Sequence, residues 1–231
     1  MPETAPADLT LRAFAGRGLA CRRGERLVFS GLSFALPGGG TLLLTGPNGS
    51  GKSSLLRLLA GLSHPDAGSL SWDGVPVNDD PAAHRARLHF IGHQDAVKPA
   101  LAVGETLRFW AGMHGGAAVA AALAHFRLEV VADWPCRHLS AGQRRRLALA
   151  RLLASPAPLW LLDEPTTGLD AEAQADLLAA ITAHRRSGGR VVLSTHAELA
   201  IADAAVLSLA DFVPRRARPE VEQDAAAPRY E

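Results

Sequence analysis

A mixed α/β fold with a parallel core, an antiparallel N-terminal flank and a helical insertion is predicted by three stretches of this chain. The first is Gly46-Pro47-Asn48-Gly49-Ser50-Gly51-Lys52-Ser53. This glycine-rich turn follows the apolar run Thr41–Thr45 and precedes Leu55, Leu58, Leu59 and Leu62, which recur with the period of a helix face. The second is Leu159-Trp160-Leu161-Leu162, a continuous apolar run of the kind found in a parallel sheet covered on both faces. The third runs from Leu9 to Phe34, where short apolar segments separated by glycine and charge read as antiparallel strands.

Residues 1–8 read as a flexible, Pro/Ala-rich start. Leu32-Ser33-Phe34-Ala35-Leu36 alternates, and Pro37-Gly38-Gly39-Gly40 turns the chain into strand, glycine-rich loop and helix over 41–62. Pro65-Asp66-Ala67-Gly68 is a turn, and Ser69–Trp72 with Asp73-Gly74 predicts a hairpin. Leu88–Ile91 reads as a strand. The stretch 95–150 is expected to be mostly helical, with apolar spacing at Leu101, Val103, Leu107 and Trp110. A helix is expected at about 171–186, and strands at Val191–Ser194 and Val206–Leu209. The tail 213–231, rich in Pro, Ala and charge, is expected to be disordered. The expected division is an α/β core with its β flank over 9–94 and 151–212, and a helical subdomain over 95–150.

The 231 residues suffice to bury a core without staples, and a net charge of +1 supplies no strong field for nucleic acid or an anionic membrane. Cys21 and Cys136 are far apart and form no C-x-x-C, which argues against a disulfide framework or a zinc site. No cleavable signal is read at the N-terminus. No apolar stretch approaches the roughly 20 residues that span a bilayer. The chain is therefore expected to be cytoplasmic and soluble by itself, with any membrane role exerted through a partner.

The turn at Gly46–Ser53 has every fixed position of G-x-x-x-x-G-K-S in the strand-to-helix context that the motif requires. Its glycines let backbone N–H groups converge on phosphate oxygens, and the helix N-terminus adds positive character. Lys52, one of only two lysines here, supplies a compact charge to the β/γ-phosphates, and the Ser53 hydroxyl suits Mg²⁺. Two carboxylates, Asp163 and Glu164, end the second apolar strand. Asp163 is the candidate metal holder and Glu164 the candidate base for an attacking water. Leu139-Ser140-Ala141-Gly142-Gln143 precedes a helix that begins at Arg144. Ser140 reads as its N-cap, and such a capped terminus is also a second anion site. Arg144-Arg145-Arg146 reads as a solvated or partner-facing side of that helix, not as a nucleic-acid patch.

Taken in order, these segments resemble the ATP-binding-cassette (ABC) ATPases over about residues 9–210. Leu139–Gln143 resembles the signature loop. Gln94 stands where that family has its Q-loop glutamine, Gly168-Leu169-Asp170 looks like the D-loop, and His196 looks like the switch histidine. A narrower resemblance is to the ATP-binding subunits of cytochrome c maturation (haem exporter) systems. It rests on Cys21, Phe29–Phe34, Leu55–Leu62, Ile91-Gly92-His93-Gln94 with Lys98, the Ser-Ala-Gly-Gln form of the signature, and Ala157-Pro158-Leu159-Trp160. There are two departures: Cys21-Arg22-Arg23 stands where the family usually has an adenine-stacking aromatic, and Ala141 replaces the commoner glycine.

The resemblance implies a P-loop nucleoside-triphosphatase fold of ABC type and a head-to-tail homodimer. ATP on Gly46–Ser53 of one copy would be covered by Ser140, Ala141, Gly142, Gln143 and Asp170 of the other. Mg²⁺ would be held through Ser53, Gln94 and Asp163. Glu164, Gln94 and His196 would carry hydrolysis. The implied partners are integral-membrane permease subunits of the cytochrome c maturation system, with the chain peripheral on the cytoplasmic face of the inner membrane. Haem has no attachment motif here and is not expected to touch this subunit. Other readings stay open: the ATPase of a drug, lipid or lipoprotein exporter, and a soluble ABC ATPase.

Overall fold

The computed structural model describes residues 13–113, 115–116, 118–195 and 201–213. The N-terminal start at 1–8, His196 and the tail beyond 213 lie outside the described residues. A five-stranded, all-parallel sheet forms the centre, with strands β3 (Thr41–Thr45), β6 (Leu88–Ile91), β7 (Leu159–Asp163), β8 (Arg190–Ser194) and β9 (Ala205–Ser208) in the order β6-β7-β8-β3-β9. Beside it lies a four-stranded antiparallel sheet in the order β2-β1-β4-β5. Its strands are β1 (Ala13–Arg23), β2 (Arg26–Pro37), β4 (Ala67–Trp72) and β5 (Val75–Pro76).

The period-2 alternation of strand side chains divides the interior into two cores. In β7, Leu159 and Leu161 face one core while Trp160 and Leu162 face the other. Leu42 and Leu44 of β3 join the first, which also buries Leu55, Leu56, Leu58 and Leu59 of α1 (Lys52–Leu59) and Phe14, Phe29 and Leu32 of the antiparallel sheet. The second core packs Val191 and Leu193 of β8 against four helices. These are α3 (Val103–Met113), α4 (Val119–His125), α5 (Ala141–Ala154) and α6 (Ala171–Arg186). All five residues of β7 are buried, as its unbroken apolar run requires.

Some boundaries differ from the sequence pattern. Helix α1 ends at Leu59, because Gly61 takes a left-handed conformation (φ 67°) and the Leu62 amide donates back to Arg57 O at 2.9 Å. This is a glycine-terminated helix end, and it leaves Leu62 off the helix and 50% exposed. Leu101 precedes α3, and short 3₁₀ turns at Glu129–Val131 and Cys136–His138 link the helices before α5. Leu209 leaves β9 to open a 3₁₀ turn.

Helix α2 (Pro81–Ala86) is held by a buried histidine. Trp72 Nε1 donates to His84 Nδ1 at 2.9 Å, and His84 Nε2 bonds Leu59 O at 2.9 Å, so the ring is neutral. Burial lowers its pKa further. His184 of α6 lies flat on Trp160, 3.9 Å away, and burial pushes its pKa down to about 4. Between that value and the ordinary pKa near 6.5, the unfolded chain binds a proton that the folded chain refuses. Stability contributed by the neutral ring is therefore complete above about pH 6.5 and is lost as pH falls toward 4. A fall of a few °C in Tm between pH 7 and pH 5 is expected for the unaltered chain. His184→Phe, which keeps the ring stack and cannot titrate, should flatten part of that slope; an unchanged slope would overturn the assignment.

Candidate active site

Three loops at the carboxyl ends of parallel strands build the site: the turn after β3, the one after β6 and the one after β7. After β3 the backbone takes positive φ at Gly46 (133°), Gly49 (78°) and Gly51 (106°). Side chains do not fit here: a β-carbon at Gly46 would stand 2.9 Å from Ser50 Oγ, and one at Gly51 2.6 Å from Val28 Cγ1. Gly51 is the N-cap of α1 and offers no side-chain cap, so the N–H groups of the first turn have no side-chain acceptor.

The Lys52 side chain folds into the turn, donating to Gly46 O at 2.8 Å and Pro47 O at 3.3 Å. Ser50 Oγ is buried with no hydrogen-bond partner among the described residues. Buried ammonium, uncapped helix start and unpaired hydroxyl together fit a bound polyphosphate. A cavity of about 410 Å³ opens on the turn and brings Glu164 to Lys52 and Ser53. Its outer wall is Arg23, Arg26 and Val28, with no aromatic ring among its lining residues. Arg22 does not line this cavity; its guanidinium donates to Glu25 O at 3.4 Å and its main-chain amide to Asp66 Oδ2 at 2.6 Å.

A second cavity, about 740 Å³, is lined by Ser53, Gln94 and Asp163. Ser53 borders both. Asp163 is 5% exposed, and its Oδ1 accepts from Ser194 Oγ at 2.7 Å. That same hydroxyl accepts from the Glu164 amide at 2.9 Å. Glu164 itself has φ 47°, a left-handed conformation rare for a residue with a side chain. Strain of this kind clusters at functional sites, where surrounding bonds over-determine it. Ser53, Gln94 and Asp163 bring a hydroxyl, an amide and a carboxylate to one cavity, a small set of oxygen donors of the kind that suits Mg²⁺.

The remaining predicted residues lie apart. Ser140, Ala141, Gly142, Gln143 and Asp170 line neither cavity. Ser140 caps α5 in a full capping box: the Gln143 amide donates to Ser140 Oγ at 3.1 Å, and the Ser140 amide to Gln143 Oε1 at 2.9 Å. A β-carbon at Gly142 would stand 3.4 Å from Gly168 O, which seats this turn against the loop after β7. Asp170 caps α6 by accepting from the Ala173 amide at 2.8 Å.

One expectation is corrected. Arg145 is not on a solvated face but 5% exposed, beneath the site. Four residues ahead of Leu149 and seven ahead of Leu152, both buried, it continues their stripe on α5. That spacing was the signal available in the sequence. Arg144 donates to Leu139 O and Arg146 to Phe126 O, so these two are also engaged within the chain. Ser194 is a second residue not singled out beforehand; its signal was a hydroxyl ending an otherwise apolar strand.

Among the described residues no helix is long and apolar enough to cross a membrane, and no cluster of His, Cys, Asp and Glu suggests a metal centre. Cys21 and Cys136 are both buried and free.

The family model for "ABC transporter" matches residues 29–167. A "Cytochrome c biogenesis ATP-binding export protein CcmA" of Paramagnetospirillum magneticum is 55% identical over 205 residues, covering 86% of this chain and 94% of its own length. The protein of the same name from Rhodospirillum rubrum is 53% identical over 219 residues, covering 94% of each chain. A solved ATP-binding subunit of an ABC transporter superposes with a TM-score of 0.74 at 27% identity, over 80% of this chain and 79% of the other. A dimeric ATP-binding cassette bound to ADP and Pi does so with 0.71 at 25%, over 80% of this chain and 88% of the other.

Proposed function

This chain belongs to the ABC transporter family, and from that premise we propose that it is the ATPase subunit of an ABC exporter serving cytochrome c biogenesis. The name of its relatives supports the pathway, and the site supports the chemistry. The single observation that carries the catalytic reading is the shared cavity: Glu164 lines it together with Lys52 and Ser53.

Each residue has a part in that reading. The Gly46–Ser53 backbone and Lys52 hold the β- and γ-phosphates. Magnesium, when bound, supplies positive charge against the phosphate oxygens. Asp163, fixed by Ser194, and Ser53 and Gln94 orient that charge. Glu164 orients the attacking water and takes its proton. Arg23 and Arg26 take the place of the missing aromatic beside the base, where a guanidinium plane can stack on a purine. His196 is assigned the γ-phosphate contact by family resemblance.

The signature residues Ser140–Gln143 and Asp170 complete the site in this reading from a second copy, since in one chain they line neither cavity. We further assign 95–150 the role of a helical subdomain facing a membrane permease. Exposed Leu62 and Met113 line a cleft of about 340 Å³ together with Phe90 and Trp110, and exposed Phe109 packs edge-on against Trp110. Such a patch at the rim of the Gln94 loop suits an apolar segment of a membrane subunit. In this reading the chain sits peripherally on the cytoplasmic face of the inner membrane and touches no haem.

The test is an affinity purification from membranes with the Glu164→Gln chain plus ATP and Mg²⁺, with co-purifying proteins identified by mass spectrometry. Cytochrome c maturation membrane subunits are the expected partners. An unrelated permease would discard the pathway and keep the motor; no membrane protein at all would favour a soluble ABC ATPase.

A further inference from the structure

Arg145 uses its guanidinium completely. An arginine side chain carries five N–H donors, and here all five have an acceptor. Nε donates to Pro165 O (3.3 Å). One terminal nitrogen donates to Gly92 O (3.0 Å) and Asp95 Oδ1 (3.1 Å), the other to Asp163 O (3.0 Å) and Glu164 O (2.8 Å). Four of the five acceptors are main-chain carbonyls. Two acceptors bracket Gln94 on the loop after β6, and three span Asp163–Pro165, from the last residue of β7 into the loop after it.

We propose that Arg145 is a positioning residue that holds the Gln94 loop and the Glu164 loop in one frame, anchored to the helix that begins at Ser140. The proposal rests on reading Glu164 as the catalytic base. Three physical points carry it. Four of the five bonds go to backbone and none to the Gln94 or Glu164 side chain, so they fix where the loops lie without engaging either side chain. They close on the carbonyl of a residue at φ 47°, a conformation that persists only where neighbours over-determine it. Finally, the guanidinium is planar and rigid, so a shift of α5 moves both loops together; a lysine, with one point of charge on a flexible stem, cannot span the two. Since α5 is capped by Ser140, closure of a second copy on that turn would be transmitted to both loops through Arg145.

The experiment measures kcat, KM and equilibrium ATP affinity for Arg145→Lys, alone and combined with Glu164→Gln, well below each variant's Tm. Misplacement of a reacting group by about an ångström costs rate on the order of 100-fold. Arg145→Lys is therefore expected to lower kcat by roughly 10- to 100-fold, with KM and ATP affinity changed by less than about threefold. In the Glu164→Gln background the same substitution should cost several-fold less than in the parent, because the base is gone and only the Gln94 loop is left to misplace. An equal fold-loss in both backgrounds, or a lowered Tm with kcat unchanged, overturns the positioning role while leaving Glu164 as base. A Glu164→Gln chain that hydrolyses at the original rate overturns the base reading, and this proposal with it. Should Arg145→Lys not fold, Asp95→Asn removes the charged acceptor alone and should show a smaller kcat loss with the same dependence on Glu164; the same loss with and without Glu164 overturns the proposal.

Discussion

Glu164→Gln is expected to slow ATP hydrolysis by roughly 100-fold or more while leaving ATP binding intact. General-base catalysis by a positioned side chain contributes on the order of 10²- to 10⁴-fold, and this is the carboxylate of the phosphate-loop cavity. The amide keeps the size of the acid and an acceptor oxygen but does not take a proton from water. It leaves in place the bonds that shape the site, because these go to main-chain atoms: the Glu164 amide to Ser194 Oγ, and Arg145 to Glu164 O. It also removes a negative charge facing the γ-phosphate, so affinity should hold or rise. The ATP-bound form would then persist long enough to be isolated as a dimer. Single-turnover hydrolysis and equilibrium nucleotide binding on the same preparation check both halves. Hydrolysis at the original rate would remove Glu164 from the base position, and lost affinity would mean that the carboxyl serves binding.

Elements with strong internal pattern were legible in the chain itself. The apolar run of β7, the phosphate turn between β3 and α1, and the span of α6 all follow from residues that decide their own local structure. Boundaries set by one backbone conformation were harder. Leu62 keeps the spacing of α1, yet Gly61 at positive φ ends the helix before it. The same limit applies to Arg145. In a run of three arginines, charge says "surface", and only the phase of the stripe with Leu149 and Leu152 says "buried". Its five acceptors come from two loops 18 to 53 residues away in sequence, a convergence that no local pattern displays.

The site was legible as a set of motifs but not as an arrangement. Lys52, Ser53 and Glu164 meet in one cavity, and Ser53, Gln94 and Asp163 in another. The strand order explains this. The turns after β3 and β7 stand on either side of β8, so Ser194 at the end of β8 can bond both Asp163 and the Glu164 amide. Ser140 lines neither cavity, although one turn further along α5 Arg145 bonds the loops after β6 and β7.

That separation sets up the second large effect. Ser140→Arg is expected to abolish the ATP-dependent dimer of the Glu164→Gln chain, with ATP affinity of the monomer changed by less than about threefold. Ser140 is exposed and lines neither cavity, so a longer side chain there meets nothing in its own nucleotide site. It does cost the cap. Losing a serine N-cap is worth about 1 kcal/mol, so Tm should fall by a few °C while the chain remains folded. Ser140→Ala, which loses the cap without adding bulk, isolates that penalty and should still dimerise more readily than Ser140→Arg. The arginine instead fills the space in front of the α5 start, where the facing copy's phosphates would have to approach the uncapped N–H groups. Size-exclusion chromatography with ATP and Mg²⁺ at matched protein concentration reads the outcome. If Ser140→Arg still dimerises with ATP as the parent does, the two nucleotide sites are not closed by the α5 turn, and the cap must come from another surface.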